Sequence, residues 1–121
     1  MRENSILIVD DNNNLTRTLS FILKRQGFLV YTAQNSLEAV RKAKEKIYKV
    51  IFMDIKMPLM NGVEAFKKIK KITPKTFVMM MTAYAGDDLV QEAIAEGAKG
   101  IIYKPFDMDN FISIVRELAE T

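Results

Sequence analysis

The chain contains neither cysteine nor histidine. Without cysteine, it can form no disulfide framework and no thiolate metal site. Without histidine, it has no imidazole that could bind a metal, act in catalysis or carry a phosphoryl group. Any metal site or reactive group must therefore be built from other side chains.

Long apolar runs are also missing, since no stretch approaches the roughly 20 residues of a membrane-spanning helix. The first apolar run, Ile6 to Val9, is too short for a signal peptide. The net charge of +3 is small, and we interpret the basic segments 41–49 and 67–75 as solvated helix faces rather than as a nucleic-acid-binding surface. We expect a cytoplasmic protein that contacts neither membranes nor nucleic acid directly.

The length of 121 residues is that of one ordinary domain, and an apolar content of 49% is enough for a core. The chain shows no linker, internal repeat or low-complexity segment. We predict a single domain over residues 1–121. Both a whole protein and a fragment of a longer regulator are consistent with this sequence.

Five short apolar runs alternate with five amphipathic helical patterns. The runs predict strands that are covered on both faces, because apolar and polar residues do not alternate within them. With right-handed crossovers, this order predicts an α/β fold with a doubly wound parallel sheet of five strands and five helices. The predicted strands span residues 6–9, 28–33, 50–53, 76–81 and 100–103.

Helix boundaries are predicted from capping residues. Asn35, followed by Glu38 three positions later, resembles a capping box that opens the second helix. The last helix is expected to be capped by Asp107 or Asp109. The second helix is predicted to turn four apolar residues toward the core, namely Ala39, Val40, Ala43 and Ile47.

Polar residues stand at the carboxyl ends of four predicted strands, the edge where open parallel sheets form their sites. These residues are Asp10, Asp11, Asp54, Thr82 and Lys104. Helix capping would explain one aspartate, but it explains poorly an adjacent pair that faces a third. Carboxylate oxygens suit Mg²⁺, and we predict a magnesium site at this edge.

The predicted site also suits phosphoryl chemistry. Without a metal ion, the three carboxylates are expected to lack a counter-ion. They should then repel one another and lower the stability of the folded protein. With the ion bound, Asp54 is an ionised nucleophile that can attack phosphorus and form an acyl phosphate. The Thr82 hydroxyl can bond a phosphoryl oxygen, and the Lys104 ammonium can balance phosphoryl charge.

Six sequence pieces carry a resemblance when they are taken in order and at their spacing. They are Ile8-Val-Asp-Asp11, Met53-Asp-Ile-Lys-Met-Pro58, Asn61-Gly62, Met81-Thr-Ala-Tyr84, Gly97-Ala-Lys-Gly100 and Lys104-Pro-Phe106. Each piece alone is weak evidence for a family. Together, the six pieces resemble the receiver domain of two-component response regulators over essentially the whole chain. Both the stand-alone receivers of phosphorelays and the N-terminal receivers of transcription regulators are similar. The resemblance implies a flavodoxin-like fold with sheet order 2-1-3-4-5.

The resemblance implies a phosphoacceptor. Asp54 would receive a phosphoryl group from a sensor histidine kinase or a histidine phosphotransfer protein, and the phosphorylated domain would control a downstream effector protein or domain. Asp11 and Asp54 would bind Mg²⁺ directly, Asp10 mostly through water, and the backbone carbonyl of Lys56 would complete the protein ligands.

Further implications concern the phosphoryl group itself. Thr82 and Lys104 would contact its oxygens, and the peptide bond between Lys104 and Pro105 would be cis. The domain would catalyse its own phosphorylation and hydrolyse its aspartyl phosphate slowly, without being a conventional enzyme. Lys56 and Tyr84 would flank the path of the attacking water, and we expect their bulk to slow hydrolysis.

One position departs from the family pattern. Receivers usually carry an aromatic switch residue three positions before the lysine, and here that position is Ile101. The nearby aromatics Tyr84 and Tyr103 do not occupy it. The phosphoacceptor chemistry is unaffected by this change, but the usual coupling of Thr82 to a swinging aromatic is not expected.

Three alternatives stay open. A phosphatase of the haloacid dehalogenase type needs a second carboxylate two residues after the nucleophile, where this chain has Lys56. A flavodoxin-like FMN-binding protein needs a phosphate-cradling loop after the first strand, where Asp10 and Asp11 would repel an anion. A receiver-fold interaction module that is not phosphorylated is the third alternative.

Overall fold

The structure, a computed structural model, describes residues 4–120, which form ten elements that alternate between strand and helix. The strands are β1 (Ser5–Val9), β2 (Leu29–Ala33), β3 (Val50–Asp54), β4 (Phe77–Thr82) and β5 (Gly100–Tyr103). The helices are α1 (Asn13–Arg25), α2 (Ser36–Glu45), α3 (Gly62–Ile72), α4 (Asp88–Ala95) and α5 (Met108–Ala119). Within the described residues, no helix is both long and apolar enough to cross a bilayer.

The five strands form one parallel sheet in the order β2-β1-β3-β4-β5. This confirms the predicted doubly wound α/β fold, and each predicted strand lies within one residue of its predicted ends. Ile6 of β1 pairs with Val50 of β3, which in turn pairs with Phe77 of β4. Because the strands are parallel and start in register, their carboxyl ends meet at one edge of the sheet.

Successive residues of each strand enter two cores on opposite faces of the sheet. Leu7 and Ile51 pack in the core that is covered by α2, α3 and α4. Ile8 and Phe52 pack in the core that is covered by α1 and α5. Burial of each such side chain contributes about 1.5–3 kcal/mol, so both layers fix the strands that carry the polar edge.

Strand β4 brings three consecutive methionines into these cores. Met80 packs on the face of α2, α3 and α4, whereas Met79 and Met81 pack on the face of α1 and α5. A Cβ atom added to Gly100, which pairs with Met79, would lie 3.1 Å from the Met79 methyl carbon. These unbranched thioether chains therefore fill the space beside β5, as methionine does in irregular parts of cores.

All five helices begin at a polar residue whose side chain accepts a hydrogen bond from the first helical turn. The caps are Asn12, Asn35, Asn61, Asp87 and Asp107. Asn12 caps α1 through a 3.1 Å bond from the backbone N–H of Leu15. Capping of α1 therefore does not account for the adjacent Asp10 and Asp11.

The predicted inward position of Ile47 is wrong. Helix α2 ends at Glu45, and Lys46 already has an extended backbone, with φ −153° and ψ 145°. Ile47 thus lies outside the helical periodicity, and its side chain is 62% exposed. Tyr48 enters the core instead, with its ring edge-on to Tyr31 at a centroid distance of 5.7 Å.

Gly62 allows the start of α3 to lie directly against the end of β3. Its N–H donates a 2.8 Å hydrogen bond to the carbonyl oxygen of Ile55. A Cβ atom at this position would lie 2.2 Å from the carbonyl oxygen of Asp54, which is too close for any side chain. The same loop is held by the Ser36 hydroxyl, which donates to the Met60 carbonyl at 2.5 Å.

Replacing Gly62 with Ala should destabilise the protein by about 3 kcal/mol, because overpacking typically costs about 1–3 kcal/mol and the clash here is with backbone. Gly86→Ala is the matched control, since nothing lies within 4 Å of a Cβ built there, and its effect should stay within about 0.5 kcal/mol. Urea unfolding of both variants measures the difference. Equal losses would show that Gly62 is not a close-approach position.

Candidate phosphoryl and metal site

The three aspartates that were predicted to form one site lie together. Asp54 ends β3 and Asp10 follows β1, and these two strands are neighbours in the sheet. One carboxylate oxygen from each of Asp10, Asp11 and Asp54 lies within 4.8 Å of the other two. Asp10 and Asp54 are 1% and 5% exposed, whereas Asp11 is an exposed residue. The cluster is therefore buried on one side and open to solvent at Asp11.

Lys104 lies between the two buried carboxylates. Its Nζ atom is 2.6 Å from Oδ2 of Asp10 and 3.2 Å from Oδ1 of Asp54. The expectation that the cluster has no counter-ion without a metal is therefore wrong, since one ammonium faces three carboxylates. The Lys104 backbone N–H donates to the Thr82 carbonyl at 2.8 Å, and the peptide bond to Pro105 is cis, as the resemblance implied.

The protein environment disfavours the ionised form of Asp54, whose pKa is raised from 3.8 to about 6. Burial is the main cause, the Asp10 carboxylate adds to it, and Lys104 acts in the opposite direction. Burial also disfavours the charge of Lys104, but the hydrogen bond to Asp10 and the attraction of Asp54 outweigh it and raise the pKa of Lys104. The single ammonium thus compensates the cluster only in part, and a bound cation would favour ionised Asp54 further.

The donor set fits a small divalent cation. Oδ1 of Asp10 accepts the backbone N–H of Asn12 at 2.9 Å, and Oδ2 accepts from Lys104. Both Asp10 oxygens thus accept hydrogen bonds from protein donors, and the predicted contact of Asp10 with the ion through water stays a prediction. Carboxylate oxygens are the ligands that such ions prefer, so the cluster could hold a metal ion. The roles of Asp11, Asp54 and the Lys56 carbonyl as direct ligands stay predictions.

Thr82 ends β4, the strand that lies between β3 with Asp54 and β5 with its following Lys104. Its side chain is 1% exposed. The Thr82 Oγ1 atom accepts the backbone N–H of Tyr84 at 3.1 Å. Because the oxygen is the acceptor in this bond, the hydroxyl hydrogen stays able to donate to another group.

A residue that sequence reasoning missed, Asp87, pairs with Lys56, one of the two side chains predicted to flank the water path. Lys56 Nζ lies 2.8 Å from Oδ2 of Asp87 and 6.0 Å from the ring centroid of Tyr84, which is 62% exposed. The sequence patterns give Asp87 no functional role. Its pairing with Lys56 depends on β3 and β4 being neighbours, and no local pattern contains that information.

Ile101 lies opposite Met80 of β4 and packs, partly buried, against the core under α2, α3 and α4. Its β-branched side chain is restricted about χ1. The aromatics Tyr84 and Tyr103 are 62% and 47% exposed. The position of the usual aromatic switch is therefore filled by a small aliphatic side chain in the core.

The sequence matches the response regulator receiver domain over residues 6–116. The chain belongs to this family. It is 40% identical over 117 residues to the regulatory protein AtoC of Escherichia coli, a match that covers 97% of this chain and 25% of AtoC. It is 38% identical over 113 residues to the chemotaxis protein CheY of Bacillus subtilis, covering 93% of this chain and 94% of CheY.

The fold of this receiver domain is also that of solved receivers. The solution structure of the beryllofluoride-activated NtrC4 receiver domain dimer is 33% identical, with a TM-score of 0.88 and 97% of both chains covered. The receiver domain spans only about a quarter of AtoC, whereas it spans nearly all of CheY. By family it is a phosphoacceptor signalling domain and a regulator rather than a conventional enzyme.

In the presence of chelator, the contribution of Asp54 to the stability of the receiver domain should fall as the pH rises from about 4 to about 6. Unfolded Asp54, with an ordinary pKa near 3.8, ionises before folded Asp54, with a pKa of about 6. The favourable contribution of Asp54 to folding stability is thus complete below its pKa in the unfolded chain. It is lost above its pKa in the folded protein. The Asp54→Asn variant lacks this dependence on pH. The free energy of unfolding of the variant, relative to that of the parent, should therefore increase by roughly 1–2 kcal/mol across this pH range.

Urea unfolding of both proteins in chelator, at several pH values between about 4 and 7, measures this advantage. Repeating the series with Mg²⁺ is the control, because an ion that binds only the folded parent adds stability there. A difference between the two proteins that is constant across the whole range would contradict the raised pKa of Asp54.

Proposed function

We propose that residues 1–121 form a single receiver domain that accepts a phosphoryl group on Asp54 in a reaction that depends on Mg²⁺. The observation that carries the proposal is the position of Asp54, a carboxylate with 5% exposure that lies beside buried Asp10 and 3.2 Å from the Lys104 ammonium. Phosphoryl transfer needs mainly positioning and charge neutralisation. Asp10 is also buried beside Lys104, but both of its oxygens already accept hydrogen bonds from protein donors, and we therefore propose Asp54 as the acceptor.

In the proposed reaction, an ionised oxygen of Asp54 attacks the phosphorus of a phosphohistidine. A bond forms between this oxygen and phosphorus, the bond from phosphorus to the donor ring nitrogen breaks, and the imidazole leaves with the electron pair and takes up a proton. When held by Asp11, Asp54 and the Lys56 carbonyl, with Asp10 acting through water, Mg²⁺ supplies positive charge near the phosphoryl oxygens.

Lys104 and Thr82 would then position the product. Lys104 is already in contact with Asp54 and Asp10, so its ammonium needs only a small movement to reach a phosphoryl oxygen on Asp54. The Thr82 hydroxyl can donate to a second phosphoryl oxygen. Movement of Thr82 toward that oxygen would weaken its bond with the Tyr84 N–H, and the phosphoryl group would thereby change the loop that leads to α4.

The proposed phosphohistidine donor lies outside residues 1–121, because this sequence has no histidine. A sensor histidine kinase or a histidine phosphotransfer protein in the cytoplasm has the required chemistry. The receiver domain would catalyse its own phosphorylation, control a downstream effector protein or domain, and return slowly to the unphosphorylated state.

The alternative enzymatic functions have less support. The second carboxylate of a phosphatase would stand at the position of Lys56, whose ammonium instead pairs with Asp87. A phosphate-binding loop for FMN would follow β1, where the backbone N–H of Asn12 is taken by Asp10. No observation favours either of these functions over phosphoacceptance.

Incubation with acetyl phosphate and Mg²⁺ should add one phosphoryl group, seen as a single mass adduct that hydroxylamine removes. Asp54→Asn should abolish the adduct, because only the Asp54 carboxylate is placed to attack phosphorus. Lys104→Ala should be labelled more slowly but should still bind Mg²⁺, since Lys104 provides no metal ligand.

Chelator in place of Mg²⁺ is the control for the metal requirement, and Asp88→Asn, an exposed aspartate in α4, is the control for loss of one negative charge. An adduct that persists in Asp54→Asn would refute Asp54 as the acceptor. A parent protein that takes no label at all would favour an interaction module that is not phosphorylated.

Beryllofluoride, a phosphoryl mimic, should produce its largest amide chemical-shift changes within residues 82–88. The reason is that Thr82 is bonded to the Tyr84 backbone, whereas Ile101 is too small and too restricted to mark two states by its rotamer. NMR spectra of the parent, Tyr84→Ala and Ile101→Ala would be compared. The changes should shrink in Tyr84→Ala and survive in Ile101→Ala, and the reverse result would assign the switch to Ile101.

A further inference from the structure

One acidic residue beside the proposed site, Asp87, has no role in the reaction described so far. Its Oδ1 atom caps α4 by accepting the backbone N–H of Leu89 at 2.8 Å. Its Oδ2 atom lies 2.8 Å from the Nζ atom of Lys56. Asp87 therefore ties the loop that follows β4 to the loop that follows β3.

A second set of contacts connects Asp87 with Thr82. The backbone N–H of Asp87 donates to the Tyr84 carbonyl at 3.2 Å, and the Tyr84 N–H donates to Thr82 Oγ1 at 3.1 Å. The Lys56 ammonium lies 6.0 Å from the Tyr84 ring centroid, at the outer limit of a cation–π contact. Lys56, Tyr84 and Asp87 thus form one cluster, which we term the loop clasp.

The sheet topology places the loop clasp on the β4 side of Asp54. Lys56 follows Asp54 by two residues, and Tyr84 follows Thr82 by two residues. Strands β3 and β4 are neighbours, with Asp54 paired to Met81. An open cavity of about 710 Å³ lies at this edge, lined by Lys56, Tyr84, Ala85, Gly86 and Asp87.

We propose that Asp87 is a positioning residue which, by holding Lys56 against Tyr84, keeps the β4 side of Asp54 covered and slows hydrolysis of its phosphoryl group. This role rests on the proposed function. In hydrolysis, the water oxygen forms a bond to phosphorus and the bond between phosphorus and the Asp54 oxygen breaks. The products are the Asp54 carboxylate and inorganic phosphate, and the proton from water passes to the solvent.

The strength of the clasp suits control of a rate rather than of stability. The Asp87 side chain is 11% exposed, but that of Lys56 is 54% exposed. Ion pairs this open to solvent are weak and are screened by salt. The clasp should therefore open readily, and more readily at high ionic strength. Opening should not unfold α4, because the helix is capped by Oδ1 of Asp87 whereas Lys56 contacts Oδ2.

The test is the first-order rate constant for loss of label from Asp54, followed by intact mass after acetyl phosphate is removed and Mg²⁺ is kept in excess. Asp87→Asn removes the charge but keeps a cap, because Asn caps helices about as well as Asp. We expect loss of label to be about two- to fivefold faster in Asp87→Asn, the effect of an exposed ion pair on a barrier.

Further variants separate the clasp from other effects. Lys56→Gln should accelerate loss of label to a similar extent, and the double variant with Asp87→Asn should add little, since both changes open one contact. Asp88→Asn makes the same change in charge one residue away in α4 and should leave the rate as in the parent. Asp87→Ser keeps a capping oxygen without charge and provides a second test if Asp87→Asn folds poorly.

The dependence of the rate of label loss on salt concentration is a further test, because a purely structural role of Asp87 would not change this rate with salt. Raising the NaCl concentration from about 0.1 to about 1 M shortens the screening length from about 10 to about 3 Å, so loss of label should accelerate in the parent. The rate in Asp87→Asn should change less, and the two rates should converge.

The outcomes distinguish the two proposals. A labelled parent whose rate equals that of both Asp87→Asn and Asp87→Ser would overturn the role of Asp87 and leave phosphorylation of Asp54 intact. An equal acceleration in Asp88→Asn would also overturn it, because net charge would then be the cause. A parent that takes no label would overturn the proposed function, and the role of Asp87 with it.

Discussion

The Lys104 ammonium between the carboxylates of Asp10 and Asp54 is the contact on which the site depends. These groups come from β1, β3 and β5, and β4 separates β5 from β3, so the lysine reaches past one strand to join the other two. A buried ion pair adds little net stability, because desolvation offsets the attraction. Its effect here is to keep the two nearly buried carboxylates side by side, while Asp11 stays open to solvent. When both buried carboxylates are ionised, the single ammonium leaves one of their two negative charges uncompensated.

Much of this arrangement is predictable from the sequence, because each strand is a short apolar run that ends at a polar residue. The sequence therefore predicts Asp10, Asp54 and Lys104 at the correct edge of the sheet. The strand order is a different matter, since periodicity does not say which strands are neighbours, and it came from the resemblance to receivers. The position of the Lys104 ammonium between the two carboxylates depends on the conformation of its side chain. Neither periodicity nor strand order fixes that conformation, and the cluster was therefore wrongly expected to have no counter-ion.

The remaining differences lie where a helix ends and where two loops meet. Ile47 fits a helical period, but α2 ends at Glu45 and the chain turns before reaching it. The pairing of Lys56 with Asp87 requires two loops to meet above neighbouring strands. Local patterns report which residue types belong on a face or at a helix start, but they carry no information on which loops face each other.

The methionines of β4 have a consequence for how a change at Thr82 spreads through the molecule. Three unbranched thioether chains, Met79, Met80 and Met81, lie directly before Thr82 and are buried on both faces of the sheet. Such chains adopt new rotamers at little cost and keep the space filled. A shift at the end of this strand is therefore taken up by rotamer changes of the three methionines in the interior. The exposed loop after Thr82 is the segment in which such a shift becomes visible at the surface.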